Sequence, residues 1–426
     1  MPWLGSVPAH WEIKPLNAAA TLNDEVLPEA TDPAHEITYV DIGSVSLTNG
    51  IERTETLPFG SAPSRARRVA RDGDILVSTV RTYLKAIAPV VRPADNLIAS
   101  TGFAVVRAKA GQNANFLKYA LQCEPFVHQV IARSNGVSYP AVNASDLARI
   151  PLVMPREIEQ CDIARFLDRE TAKIDALIAE QEKLLALLAE KRQATISHAV
   201  TRGVDPDVLL KQVNVAWLGH VPAHWKVARL ATLFREITEA GDDGLPILSV
   251  SIHDGVSDRE LGEAEMDRKV SRSDDRSKYK RVAPNDLVYN MMRAWQGAFG
   301  AVEVPGQVSP AYVVARPRMP LRSQFVELLL RTPAAMREVR RVSRGITDFR
   351  LRLYWDEFKN LQVAIPPVDE QDAILSTISS LETQFDELSA AARHAIHLLH
   401  ERRAALITAA VTGQIDVRHA AQVGAA

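Results

Sequence analysis

Cysteine is nearly absent. The chain holds two, Cys123 and Cys161, and they share no motif. That excludes a disulfide framework and a cysteine-rich metal site, and it fits a reducing cytoplasm. No apolar run reaches the roughly 20 residues that a membrane span needs, and nothing near Met1 follows the pattern of a signal peptide. Catalytic signatures are missing as well: no Gly-x-x-x-x-Gly-Lys phosphate loop, no His-Glu-x-x-His, no paired Cys-x-x-Cys. Nor is there an Asn/Asp-Pro-Pro-Tyr motif or a Gly-rich cofactor loop of the amino-methyltransferase kind. An excess of positive charge is also lacking, since 50 basic residues face 52 acidic ones for a net charge of −2. A nucleic-acid binder needs only a local basic surface, so the distribution of charge decides that question.

What the sequence does have is an internal repeat. Trp3-Leu-Gly-Ser-Val-Pro-Ala-His-Trp11 returns as Trp217-Leu-Gly-His-Val-Pro-Ala-His-Trp225 with eight of nine positions identical. Pro155-Arg-Glu-Ile-Glu-Gln160 is answered by Pro366-Pro-Val-Asp-Glu-Gln371, and a gapless alignment continues from there. Asp175 matches Asp386, Glu190-Lys-Arg192 matches Glu401-Arg-Arg403, and Ala199-Val-Thr201 matches Ala410-Val-Thr412. Between these anchors only echoes survive, such as Gly73-Asp-Ile-Leu against Asn285-Asp-Leu-Val, and Ser134-Asn-Gly136 against Ser343-Arg-Gly345. Even drift after a duplication does not leave the ends intact and the middles unrecognisable. A shared frame carrying two different surfaces does. The repeated His10-Trp11 and His224-Trp225 pairs read as structural, not catalytic.

Two long amphipathic helices follow the two Pro-x-x-x-Glu-Gln segments. In the first, Ile163, Leu167, Ile174, Leu177, Leu184 and Leu188 fall on a heptad seam, with Glu170 and Gln181 interrupting. In the second, Ile374, Ile378, Leu381, Phe385, Leu388, Ala392, Ala395 and Leu399 hold the same register. Pro155 and Pro367 precede the starts, and Gly203 and Gly413 follow the ends. Each helix spans about 40 residues, or about 60 Å at 1.5 Å per residue. The pattern predicts an antiparallel coiled coil acting as a rigid spacer.

The intervening segments read as mixed α/β. Expected strands are 37–42, 75–79, 86–91 and 103–106, then 246–252, 287–291 and 311–315. Helices are expected over 113–133 and 323–342, with short segments at 144–148 and 355–359 before a last strand. Basic and amide residues gather near strand ends. In the first half these are Arg65, Arg67, Arg68 and Arg71, then Arg81, Tyr83 and Lys85, with Asn135 in the Ser-Asn-Gly turn. In the second half they are Lys278, Lys280 and Arg281, then Asn290, Arg293, Trp295 and Gln296, and a run from Arg331 to Arg352 that includes Arg344 and Arg350. Arg and Lys neutralise phosphates, while Arg, Asn and Gln form paired hydrogen bonds to base edges in the major groove.

The order of motifs along the whole chain resembles the specificity subunits of Type I restriction–modification enzymes. The resemblance rests on the Trp-Leu-Gly-x-Val-Pro-x-His-Trp segments, the Asp-Ile-Leu and Asp-Leu-Val strands, the Ser-x-Gly turns, the Glu-Gln helix starts and the Ala-Val-Thr endings. It implies an α+β chain with a pseudo-twofold repeat. The implied division is a target recognition domain over 1–155, a spacer helix over 156–202, a linker and second recognition domain over 203–367, a distal helix over 368–413 and a tail over 414–426. It further implies a non-catalytic, cytoplasmic subunit that binds double-stranded DNA and two modification (methyltransferase) subunits, with restriction (motor-nuclease) subunits joining through them. S-adenosylmethionine, and ATP with Mg, then belong to those partners, and this chain binds no cofactor. A targeting subunit of another restriction–methylation type and a protein-only coiled-coil scaffold remain as alternatives. Replacing Arg344, Arg350 and Arg352 together with Ala is expected to weaken recognition of one half-site only. A binding assay on duplexes altered in one half at a time checks this, and equal loss at both halves would indicate general electrostatics.

Overall fold

The computed structural model describes residues 5–242, 244–252, 255–257, 278–345 and 351–417. Trp3, Leu4 and Arg350 therefore lie outside the described residues, as does the end of the tail. The chain divides into two compact units, Met1–Glu182 with Arg393–Ala426, and Lys183–Ala392. Each unit takes a portion of both long helices.

In the first unit two four-stranded sheets form the α/β part. One orders Ala20–Leu22, Phe103–Ala108, Ile75–Ser78 and Ile87–Pro89, all antiparallel. The other orders Glu55–Pro58, Glu36–Val40, Leu97–Ser100 and Ala66–Val69, with a parallel pair between Leu97–Ser100 and Glu36–Val40. Ile75–Ser78 is buried along its whole length, as a strand covered on both faces must be. Helices Ala114–Gln122 and Glu124–Ala132 cover the first sheet through Phe116, Leu117, Phe126 and Val127.

The second unit repeats this plan. Its sheets order Phe234–Ile237, Tyr312–Pro317, Leu287–Asn290 and Phe299–Ala301, and Gly255–Ser257, Ile247–Ser251, Gly306–Val308 and Lys280–Val282. A parallel pair falls at the equivalent place, between Ile247–Ser251 and Gly306–Val308. Helices Ser323–Leu330 and Pro333–Val342 take the cover position. The continuous helices expected over 113–133 and 323–342 are each two helices. Cys123 and Thr332 are extended (φ −67°, ψ 147–148°), because each precedes or opens a Glu-Pro or Pro-Ala start that fixes Pro in the first turn. Thr332 also caps the new start by accepting from Ala335 N.

The repeated motifs meet where each long helix leaves its sheet layer. Gln160 Oε1 accepts from Asn113 N at 2.9 Å while its Nε2 donates to Pro155 O. Gln371 does the same with Arg322 N (2.8 Å) and Pro366 O. Both glutamines are almost fully buried. The preceding glutamates bind the opening motifs. Glu159 accepts from Trp11 Nε1 and lies 2.9 Å from His10 Nε2, and Glu370 accepts from Trp225 Nε1 at 3.0 Å and lies 2.7 Å from His224 Nε2. The His-Trp pairs are thus structural anchors. The strands Glu12–Pro15 and Lys226–Arg229, just after those motifs, pair antiparallel with Pro151–Met154 and Gln362–Ile365, just before the helices.

A second repeated element is the Asp of the Gly-Asp-Ile-Leu and Asn-Asp-Leu-Val strands. Asp74, 1% exposed, receives two hydrogen bonds of 2.8 Å from Arg107, which also reaches Glu25. Asp286 receives two of 2.9 Å from Arg316, which reaches Glu239. These carboxylates hold both guanidinium pKa values above their ordinary range. The residue before each Asp has positive φ, Gly73 at 83° and Asn285 at 69°, a conformation that Gly and Asn adopt at least cost.

The long helices run Glu157–Arg202 and Val368–Val411, 46 and 44 residues. They stop where Gly203 (φ 79°) and Gly413 (φ 74°) turn left-handed. Within the first unit Ile163, Ala164 and Leu167 share a core with Ile407, Ala410 and Val411, and Arg403 donates to Asp175 at 2.8 Å. Within the second, Ala199 and Val200 share a core with Ile374 and Ile378, and Arg192 donates to Glu382 and Asp386 at 2.9 and 2.8 Å. In both units rising numbers on one helix meet falling numbers on the other, so the pairing is antiparallel. Ile163, Leu167, Ile174, Leu188, Ile374, Ile378 and Phe385 are buried, and Leu381 and Leu399 are half-buried. Leu177, Leu184 and Leu388 are instead exposed, at 51, 41 and 54%. The seam uses the next residue along: Thr171 and Ile178 are buried and Leu185 is half-buried, as are Glu382, Ser389 and Ile396 in the second helix. One edge of the expected stripe was a residue out of phase, because a leucine at the neighbouring position imitates the seam. Replacing Ile178 with Asp is accordingly expected to cost on the order of 3 kcal/mol through burial of an unpaired charge, lowering Tm by roughly 6–12 °C. Leu177→Asp should leave Tm within about 2 °C. Thermal melts of the two variants check this, and equal shifts would contradict the phase.

Candidate nucleic-acid interface

In each unit the buried strand that carries the Asp clamp runs out into an exposed loop, and a second, hairpin-like loop is pinned beside it. In the first unit Ile75–Ser78 continues to Thr79, whose N–H and hydroxyl both donate to Gly102 O. Arg81 and Lys85 then adopt left-handed φ of 48° and 52° on either side of the turn Thr82–Leu84. Two non-glycine residues in that region are a strained pair that the surroundings must enforce. The enforcing contact is Thr82, buried, whose hydroxyl lies 2.7 Å from that of Ser134, itself donating to Val130 O at the end of a cover helix.

From Ser134 the second loop leaves the core. Asn135 and Ala141 exchange two backbone hydrogen bonds of 2.8 and 2.9 Å, and Val142 N donates to Thr79 O. The tip between them holds Gly136 (φ 112°), Val137 and Tyr139. Val137 is completely exposed and Tyr139 is 65% exposed. The Arg81 guanidinium lies 4.7 Å over the Tyr139 ring, an arrangement that orders both side chains while leaving their outer faces open to solvent. Tyr83, half exposed, and Lys85 lie in the same turn. Arg81, Tyr83, Lys85 and Asn135 therefore come together in one loop cluster.

The second unit builds the same frame from other residues. Leu287–Asn290 leads to the turn Ala294–Gln296, and Leu353 N donates to Met291 O as Val142 does to Thr79. Ser343 donates to Val339 O, and Arg344 and Arg352 exchange two 2.9 Å backbone hydrogen bonds. The Arg340 guanidinium lies 5.4 Å from the centroid of Trp295. Arg293, Gln296, Arg344 and Arg352 share this cluster. Asn290 instead serves the turn itself. It is 8% exposed, and its Oδ1 caps the turn by accepting from Met292 N.

The remaining candidates sit on or just before the edge strand of the second sheet in each unit, and several are engaged internally. Arg65 donates to Tyr39 OH and Asp41, which raises its pKa. Its carbonyl accepts from Thr101 N, next to Gly102, so it borders the loop cluster. Arg67 stacks 4.7 Å over Phe59. Arg68 is partly buried, which lowers its pKa, and its Nε has no hydrogen-bond partner. In the second unit Lys280 donates to Tyr312 O, and burial lowers its pKa. Lys278 and Arg281 are exposed. Tyr139, Val137 and Glu357, which pairs with Arg344, belong to the clusters but were not singled out from the sequence. Aligning the chain segments that follow the Ser-x-Gly turns is the signal that finds them.

No family model matches the sequence. A curated relative, the Type I restriction enzyme EcoBI specificity subunit of Escherichia coli, is 24% identical over 330 residues, 73% of this chain and 67% of the relative. A solved chain from a study of complex assembly and conformational transition of the type I R-M system superposes with a TM-score of 0.64 at 22% identity, covering 96% of this chain and 100% of that one. The HsdS subunit from Thermoanaerobacter tengcongensis superposes with a TM-score of 0.50 at 22% identity, covering 96 and 98%. These likenesses establish the fold. Replacing both Arg81 and Tyr139 with Ala is expected to leave the melting of the chain nearly unchanged, since both are solvent-facing, and to weaken DNA binding by about tenfold. Titration against target duplex alongside a thermal melt checks it. Unchanged affinity would remove the first loop cluster from the interface.

Proposed function

We infer that the chain belongs to the specificity subunits of Type I restriction–modification systems and is the DNA-sequence-recognition subunit of such a complex. One observation carries the reading. Two units of one topology end the same strand–turn–hairpin frame in exposed loops of different chemistry, Arg81 with Tyr83, Val137 and Tyr139 in one and Arg293 with Arg344 and Arg352 in the other. A duplicated protein that bound two identical sites would have no reason to keep the frame and change the chemistry of its loops. Two unlike DNA half-sites supply that reason. Each unit reads one half of a bipartite, asymmetric site, and the long helices fix the unread gap. The chain itself is non-catalytic. S-adenosylmethionine, ATP and Mg act in the modification and restriction subunits, and the assembly works in the cytoplasm, where its DNA is.

Docking of the modification subunits falls to the outward leucines of the long helices. Leu177 and Leu398 are half exposed in the first unit, and Leu388 and Leu187, their equivalents under the repeat, are half exposed in the second. Exposed apolar side chains at matching places in both copies suit two copies of one partner.

Methylome sequencing of cells expressing the system tests the whole reading, with one split site of two unlike halves as the expected result. An assembled complex with no sequence preference would overturn it. Leu177→Asp with Leu388→Asp is expected to lower affinity for the modification subunit at least tenfold while the chain stays folded. Co-purification and a melt of the isolated chain check this, and normal assembly would place docking elsewhere.

A further inference from the structure

Arg344, whose backbone pairs with Arg352, has a side chain 72% exposed, yet it is held from beneath. Its Nη2 pairs with Glu357 Oε1, and the Glu357 side chain is only 10% exposed. The second carboxylate oxygen, Oε2, is buried with no hydrogen-bond partner. Glu357 belongs to the short helix Trp355–Phe358, which is fixed to the core through Phe358, fully buried and 4.7 Å from the Tyr289 ring. Asp356 beside it is paired with Lys359 at 2.6 Å. A buried, half-satisfied carboxylate is costly for folding. The first unit does without this pair: Asn135 and Asp146 occupy the matching positions, and Asn135 carries no charge to pair.

The arrangement distinguishes two uses of an arginine. A phosphate accepts hydrogen bonds from many directions and is attracted by unshielded charge, so an acidic neighbour weakens such a contact. A base edge offers no net charge and demands direction. For that use a carboxylate held against one guanidinium nitrogen is an advantage, because it restricts the rotamers of the side chain and leaves the other N–H groups available. The rotamer freedom is then lost on folding and not on binding.

We propose that Glu357 is a positioning residue that presents Arg344 for paired donation to O6 and N7 of a guanine in the half-site read by the second unit. The proposal rests on the recognition function inferred above, and it commits one arginine to a base and one base to guanine.

The test uses the assembled complex with its modification subunits and competition among duplexes in which each base pair of the site is varied singly. Wild-type protein is expected to require a G·C pair at one position of one half-site. Arg344→Ala should lose about tenfold or more of the discrimination at that position. Glu357→Gln should lose several-fold at the same position and nowhere else, and the double variant should match Arg344→Ala, because Glu357 acts only through Arg344. Arg344→Lys, which keeps the charge but not the planar fork, should show the same positional loss and stands in if Glu357→Gln does not fold. A uniform loss across all duplexes, or tighter binding with unchanged base preference, overturns the proposal. If wild type shows no base preference at all, the recognition reading itself has failed instead.

Discussion

A carboxylate and an amide at the start of each long helix join everything else in the fold. Gln160 and Gln371 bond the cover helices and the preceding strands to the helix start, and Glu159 and Glu370 bond the His-Trp motifs to the same turn. The cover helices and the His-Trp motifs are far from the helix start in sequence, and both are brought to one helical turn. Because the glutamines are buried, losing one leaves backbone groups without partners, at a cost of about 1–3 kcal/mol each. The helix therefore leaves its sheet layer in one direction, with little freedom to swing. Residues that share such a joint cannot change singly, which accounts for the near identity of the motifs in the two halves.

Outward from that joint the constraints thin in order. The Asp–Arg clamps at Asp74–Arg107 and Asp286–Arg316 fix the strand that leads to the loops, and they leave the loop itself free to vary. Along the helices, Arg192 and Arg403 occupy matching places and reach acids on the opposite helix, at Glu382 and Asp386 and at Asp175. Their isolated contributions to stability are small because the groups are partly exposed. Each ties one long helix to the other within its unit.

Much of this frame was legible in the sequence, because the repeat marks positions that bond to one another. The strands around Gly73-Asp-Ile-Leu and Asn285-Asp-Leu-Val, the helix starts and the glycine stops all follow from local chemistry. The phase of the helix seam did not. Leu177 and Ile178 are neighbours of similar apolarity, and Thr171, which is buried through a hydrogen bond to Leu167 O, is polar by residue type. The broken cover helices were missed because apolar periodicity continues across Pro125 and Pro333. Among the basic residues, composition cannot separate Arg65, tied to Tyr39 and Asp41, from Arg81, stacked on Tyr139, since the partners come from distant strands and loops.

The two loop clusters suggest why one frame supports different readings. In the first, apolar and aromatic surface is presented by Val137, Tyr139 and Tyr83, with Arg81 spread over a ring. Under the function proposed above, such groups would suit shape and methyl groups, the features by which thymine differs from cytosine in the major groove. In the second, the exposed Arg344 is paired with Glu357. Both clusters stand on the same geometry: a buried strand end, a serine bonded back to its helix, and a pair of backbone hydrogen bonds beyond it. Under the function proposed above, the frame that positions the loops is common to both units while the side chains that would meet DNA differ.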